Sequence, residues 1–114
     1  MDPVKELLGL TADYAAQFLG SLDERPVGVS ATVEDLRAAL GGPLPASGAG
    51  DMEVIASLIA AAEPGVTAIP GGRYFGFVIG GALPAALAAD WLTSTWDQNA
   101  GLYVAGPSAA VVEE

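Results

Sequence analysis

The stretch that decides the fold is Pro3–Leu22, PVKELLGLTADYAAQFLGSL. Its apolar residues recur every three or four positions, which is the spacing of one face of an α-helix. They are Val4, Leu7, Leu8, Tyr14, Ala15, Phe18, Leu19 and Leu22. Pro3 suits a first helical turn, and the Asp2 carboxylate before it can cap the free amides. The sequence therefore predicts a long amphipathic helix over residues 3–22.

Similar signals predict two shorter helices next along the chain. Thr32 and Asp35 have the spacing of a capping box, and they open a helix that Gly41-Gly42-Pro43 ends. Asp51 is predicted to cap a third helix, which stops at Pro64-Gly65. Together these helices would form one arm over residues 1–65.

Residues 66–114 have a different character. Tyr74–Val78 is aromatic and β-branched, so a short strand or an extended run is expected there. One helix is expected from about Pro84, and a last one from Pro107. The last helix has no capping residue at its end, which predicts a chain cut within a helix. We therefore expect a mainly α fold with at most a short strand.

The composition restricts the chemistry available to the chain. Of its 114 residues, 52% are hydrophobic and 16% are charged, which is too little charge to cover a small domain. A partner, a second copy or a missing remainder of the chain is therefore expected. Its net charge is −10, from 14 acidic and 4 basic residues, which excludes a nucleic-acid interface and disfavours anionic membranes. The chain has neither Cys nor His, so Ser-His-Asp catalysis, Cys-His catalysis and ordinary zinc sites are excluded.

Two motifs have a functional interpretation and a simpler one. Gly80-Gly81 precedes a helix and can cradle a phosphate, but no basic residue follows, so a turn that needs glycine is favoured. Asp90 and Asp97 are seven residues apart and can share a helix face, where carboxylates bind hard cations. Solvated or capping carboxylates are the favoured interpretation of that pair. The longest uncharged stretch, Tyr74–Ala89, is shorter than a bilayer span of about 20 residues, and a cytoplasmic protein is expected.

Four short motifs follow one another in residues 67–114. They are Arg73-Tyr74-Phe75-Gly76-Phe77-Val78, Gly80-Gly81-Ala82-Leu83-Pro84-Ala85, Ala89-Asp90-Trp91-Leu92-Thr93-Ser94-Thr95 with Asn99, and Ala105-Gly106-Pro107-Ser108. Their order resembles the N-terminal part of group II pyridoxal-phosphate-dependent decarboxylases, which act on aromatic amino acids and glutamate. The resemblance implies a helical segment that wraps around the second subunit of an intertwined homodimer. A large α/β domain that binds the cofactor would follow downstream.

The resemblance also implies which residues touch the substrate. One loop of the family faces the substrate, and here it is Phe77, Val78, Ile79 and Gly80. Another loop inserts toward the neighbouring active site, and here it is Gln98, Asn99 and Gly101. The Asn99 amide would hydrogen-bond a substrate carboxylate. Plain dimer packing is the competing interpretation of both loops.

No catalytic residue is expected in this chain. The family's Schiff-base lysine, ring-stacking histidine and ring-pairing aspartate would all lie downstream. Lys5, the only lysine, sits at an exposed helix start, so no cofactor is expected on this chain alone.

Three functions follow as hypotheses. The first is an N-terminal fragment of a pyridoxal-phosphate-dependent amino-acid decarboxylase, inactive alone, that supplies homodimer contacts and part of the substrate pocket. The alternative is a non-enzymatic, acidic, helical homodimerisation module. A weaker third possibility is a small-ligand carrier that uses the loop from Phe77 to Gly81.

Overall fold

The computed structural model describes residues 2–114, and all regular structure within that range is helical. The α-helices are α1 (Pro3–Gly20), α2 (Val33–Leu40), α3 (Asp51–Ala62), α4 (Pro84–Trp96) and α5 (Pro107–Val112). Single 3-10 turns lie at Glu63–Gly65 and Tyr103–Ala105. The predicted mainly α fold is therefore confirmed. None of these helices is long and apolar enough to cross a bilayer.

The helix starts that the sequence predicted from capping residues are present. The Asp2 carboxylate accepts a hydrogen bond of 2.9 Å from the Val4 amide at the start of α1. At the start of α2, the Asp35 amide donates to the Thr32 hydroxyl at 3.1 Å, and the Thr32 amide donates to the Asp35 carboxylate at 3.0 Å. This reciprocal pair is a complete capping box.

Three local predictions need correction. Helix α1 ends at Gly20 instead of Leu22, because the Leu22 amide donates to the Leu19 carbonyl, three residues back, and a turn follows. Asp51 is not the cap of α3: Gly50 holds that position without a side-chain bond, and Asp51 is the first helical residue. The possible strand at Tyr74–Val78 is a turn, since its backbone bends back at Phe77 and Val78.

The described chain separates into two compact units, one that ends at Gly81 and one from Ala82 to Glu114. In the first unit α3 packs against both α2 and α1. Leu36 of α2 lies so close to Gly65 that a Cβ there would come within 2.7 Å of it. The Ala68 amide donates to the Val27 carbonyl at 3.0 Å, which ties the segment after α3 to the connector after α1.

Neither unit has an ordinary hydrophobic core. Ala68, at 1% exposure, is the only buried side chain in residues 2–114. The chain exposes 8969 Å². A folded monomer of this mass exposes about 5,800 Å², and two separately folded units of these lengths would expose about 6,800 Å². However the two units are counted, the chain exposes more surface than a folded chain of its mass, and many large apolar side chains of the described residues are exposed.

Candidate functional site

The best-connected polar group of the first unit is Arg25. Its Nη2 lies 2.7 Å from Glu63 Oε1, an ion pair between the end of α3 and the connector after α1. Its guanidinium carbon lies 4.4 Å from the centroid of the Phe18 ring, a cation–π contact. The rings of Tyr14 and Phe18 lie 6.5 Å apart at a tilt of 33°. We call these four side chains, Tyr14, Phe18, Arg25 and Glu63, the Arg25 cluster.

The Arg25 cluster shifts the ionisation of two of its members. The hydrogen bond from Arg25 lowers the pKa of Glu63, and the partial burial of that carboxyl opposes the effect without cancelling it. Burial raises the pKa of Tyr14, and the neighbouring Glu63 carboxylate raises it further. At neutral pH the cluster therefore contains a carboxylate, a guanidinium and a neutral phenol, which is a structural arrangement without a free base.

A second arginine extends this arrangement. Arg73 Nη2 donates to the Leu22 carbonyl at 2.7 Å and also to the Arg25 carbonyl. These bonds join positions 51 and 48 residues apart in the sequence. Arg73 thus fixes the base of the following loop to the turn after α1.

An open groove of about 350 Å³ lies beside the Arg25 cluster. The Arg25 and Glu63 side chains form its polar wall. Pro26, Val29, Ile59 and Val66 contribute apolar surface. Such a groove accepts an apolar group, because it offers carbon surface and a cation that is already neutralised. We refer to it below as the Arg25 groove.

The loop predicted to face a substrate, Phe77–Gly80, starts with an unusual turn. Phe77 has φ of 56° and Val78 has φ of 57°, and the Ile79 amide donates to the Gly76 carbonyl at 3.2 Å. Positive φ at both central positions is the pattern of a primed turn, which normally uses Asn and Gly. For a phenylalanine and a β-branched valine this backbone costs about 1–3 kcal/mol each.

The side chains of this turn point into solvent. Phe75 is 92% exposed, Phe77 is 90% exposed and Val78 is fully exposed. Ile79 is about half exposed, and a Cβ added to Gly80 would meet no atom within 4 Å. We call Phe75, Phe77 and Val78 together the apolar knob. The strained turn and the residue before it therefore leave three apolar side chains without cover from the rest of the described chain.

The second predicted substrate loop belongs to the other unit. Gln98 Nε2 donates to the Trp96 carbonyl at 2.8 Å, and Asn99 Oδ1 accepts from the Gly101 amide at 2.9 Å. Both side chains therefore stabilise their own turn, which follows a left-handed Asp97 at the end of α4. The Asn99 amide oxygen is used in this way, and the predicted hydrogen bond from its amide to a substrate carboxylate stays a prediction.

The described residues offer little for a cofactor or metal. Asp97 ends α4 instead of continuing it, so it does not share a helical face with Asp90. Within residues 2–114, no three acidic side chains come together as a metal site. Lys5 is exposed in the first turn of α1, and it lines neither the Arg25 groove nor the groove at Pro107–Val112. The residues present therefore do not fit pyridoxal phosphate, which needs an enclosed amine and a partner for its ring nitrogen.

Comparisons with protein-family models, with curated proteins and with solved structures found no match to this chain. The decarboxylase resemblance therefore rests on the quoted sequence motifs alone, and it stays a prediction. The substrate roles predicted for Phe77, Val78, Ile79, Gly80, Gln98 and Asn99 stay predictions as well.

The reasoning from sequence missed the Arg25 cluster and the groove beside it. Arg25 and Glu63 are 38 residues apart, and nothing in the local pattern around either residue indicates that they meet. A weak signal was present: Arg25 follows one predicted apolar helix and Glu63 lies at the end of another, where a charge can fold back over the helix end.

Proposed function

We propose that the chain is a helical homodimerisation segment, which completes its hydrophobic surface on a second copy of itself. The observation that carries this proposal is the uncovered area. The chain exposes 8969 Å², about 2,000 Å² more than even two separately folded units of its size. A standard protein interface removes about 800 Å² from each partner. The excess therefore exceeds what one stable dimer contact needs.

Helix α1 supports the proposal because its apolar face is only partly covered. Tyr14 and Phe18 are partly covered by their own chain. Val4, Leu8 and Leu19, on the same apolar face, remain 59%, 50% and 42% exposed. The apolar face of an amphipathic helix is normally buried against another element. The exposed part of this face is therefore a natural surface for another copy.

We further propose that this segment belongs to a decarboxylase of the pyridoxal-phosphate type. The ordered motifs between Arg73 and Ser108 support this proposal, together with the display of Phe77 and Val78 outside their own unit. In such an enzyme the cofactor would act as an electron sink for loss of the α-carboxylate. This chain would contribute dimer contacts and a substrate-side loop, and no catalytic group.

The alternative is a non-enzymatic module with the same dimer contacts. Among residues 2–114, no lysine lies in a site that fits pyridoxal phosphate, and this is compatible with both the decarboxylase segment and the module. A reading frame that continues past Glu114 to a downstream lysine motif would favour the decarboxylase. A stop codon directly after Glu114 would favour the module.

Light scattering tests the proposed function directly. The mass should be twice the 11.4 kDa of the chain at micromolar concentration or above. Pyridoxal phosphate added to the same sample should produce no imine absorbance, and borohydride should fix no label on Lys5. A mass of one chain at every concentration would contradict dimerisation. A reducible imine on Lys5 would contradict the absence of cofactor chemistry in this segment.

A further inference from the structure

Two features of the first unit have no packing partner within it: the apolar knob and the Arg25 groove. The knob presents Phe75, Phe77 and Val78 to solvent. The groove, about 350 Å³ in volume, has apolar surface and no side chain filling it. Resting on the proposed homodimer, we infer that the knob of each copy seats in the Arg25 groove of the other copy.

The shape of the two features favours this pairing. The groove has room for one phenyl ring and a neighbouring aliphatic side chain, which is what Phe77 and Val78 offer together. The primed turn pushes these two side chains outward at the tip of a tight bend, so they can enter a groove without a long loop. A strained turn persists when contacts elsewhere compensate for it, and here the partner's groove supplies those contacts.

The chemistry of the groove wall suits an aromatic ring. Phe18 covers one face of the Arg25 guanidinium, and no second ring of the described residues lies against that cation. A phenyl ring entering the groove can stack on the other face. Glu63 already neutralises Arg25, so the incoming ring does not have to displace a counter-ion. Phe77 is the residue that we assign to this position.

Charge explains why a second copy can approach here. The chain carries a net charge of −10, so most of its surface repels another copy. Residues 64–81 contain Arg73 and no acidic residue. The knob therefore projects from a segment that a second acidic copy does not repel. The exposed area of 8969 Å², about 2,000 Å² more than two separately folded units would expose, favours another copy as the occupant of the groove.

The contact is reciprocal. If the knob of one copy enters the groove of the other, a two-fold axis places the second knob in the first groove. Two identical contacts then close the dimer and leave neither feature free for a third chain. The stoichiometry is therefore two, with no growth into fibres.

Three variants test the inference by sedimentation equilibrium. Phe77→Asp places a charge at the tip of the knob, and Gly28→Phe fills the groove from its own wall, where a Cβ meets no atom within 4 Å. Each should raise the dimer dissociation constant about 100-fold or more, because both reciprocal contacts are lost. Leu44→Asp is the matched control: Leu44 is 95% exposed in a loop outside both features, and its change should stay within about threefold.

Mixing the two variants gives the sharpest result. In a mixed dimer, the intact knob of Gly28→Phe meets the intact groove of Phe77→Asp, so one of the two contacts is restored. The mixture should dimerise more tightly than either variant alone, with equal amounts of each chain. Circular dichroism should show unchanged helix content in both variants.

Other outcomes separate this inference from the proposed function. If the wild-type chain dimerises and both variants keep its dissociation constant within about threefold, the knob-in-groove contact is wrong while the homodimer stands. If both variants weaken the dimer but their mixture is no tighter than either alone, the reciprocal contact is also wrong. A wild-type chain that never dimerises overturns the proposed function itself.

Discussion

The Arg25 cluster and the apolar knob belong to the same unit, but the side chains of the cluster contact one another whereas those of the knob are exposed. In the cluster, one guanidinium bonds a carboxylate at 2.7 Å and covers a phenyl ring at 4.4 Å. In the knob, two residues adopt a costly backbone and gain no cover for their side chains. The unit is therefore held by a few specific long-range contacts, while the three apolar side chains of the knob are left uncovered.

The largest expected effect comes from removing the centre of the cluster. Arg25→Ala loses the ion pair and the cation–π contact, and it should lower the free energy of unfolding by about 2 kcal/mol. Arg37→Ala is the control, because Arg37 is exposed on α2 and forms no ion pair with the described residues, so its effect should stay within about 0.5 kcal/mol. Urea unfolding measures both. Equal effects of the two substitutions would show that the cluster does not hold the unit.

A smaller effect on the free energy of unfolding is expected at the knob, and its sign should change with protein concentration. Val78→Gly relieves a positive φ that glycine adopts freely, so it should stabilise the dilute, monomeric chain by about 1 kcal/mol. At high concentration the same variant should be less stable than wild type, because the valine side chain is missing from the dimer contact. Urea unfolding over a concentration series would show the crossing. A variant that is more stable than wild type throughout would place Val78 outside the interface.

The smallest expected effect is the pH dependence of the cluster. The Arg25 hydrogen bond lowers the pKa of Glu63. The stability that this ion pair contributes is therefore fully present above the ordinary pKa range of glutamate, and it is lost as pH falls through the lowered pKa. The pair is partly exposed, so the contribution is about 1 kcal/mol or less. Wild type should exceed Glu63→Gln in stability at pH 7, and the difference should shrink below about pH 4. A difference that grows on acidification would contradict the assignment.

The sequence predicted what local signals determine. Apolar spacing located α1, the capping box located α2, and prolines located the starts of α4 and α5. The errors came where the deciding contact is distant or unusual. Arg25 meets Glu63 across 38 residues, and Phe77 with Val78 adopts a turn that neither residue favours. The β propensity of Tyr74–Val78 predicted a possible strand, but among the described residues no neighbouring strand is present to pair with it.

The predicted site residues divide in the same way. Gln98 and Asn99 lie in a loop, as the resemblance implied, and their side chains bond the backbone of that loop. Phe77 and Val78 are exposed, a property that residue type alone would not predict for two large apolar residues. Sequence therefore located both loops but did not predict how their side chains are used.

The most direct test of the account is thermal unfolding followed by circular dichroism over a thousandfold range of protein concentration. A chain whose hydrophobic surface is completed by a second copy gains stability by mass action, so Tm should rise steadily with concentration. Phe77→Asp should flatten that rise, whereas Leu44→Asp should not. A wild-type Tm that does not depend on concentration, with full helix content in the dilute sample, would contradict the account, because the chain would then be stable without its partner.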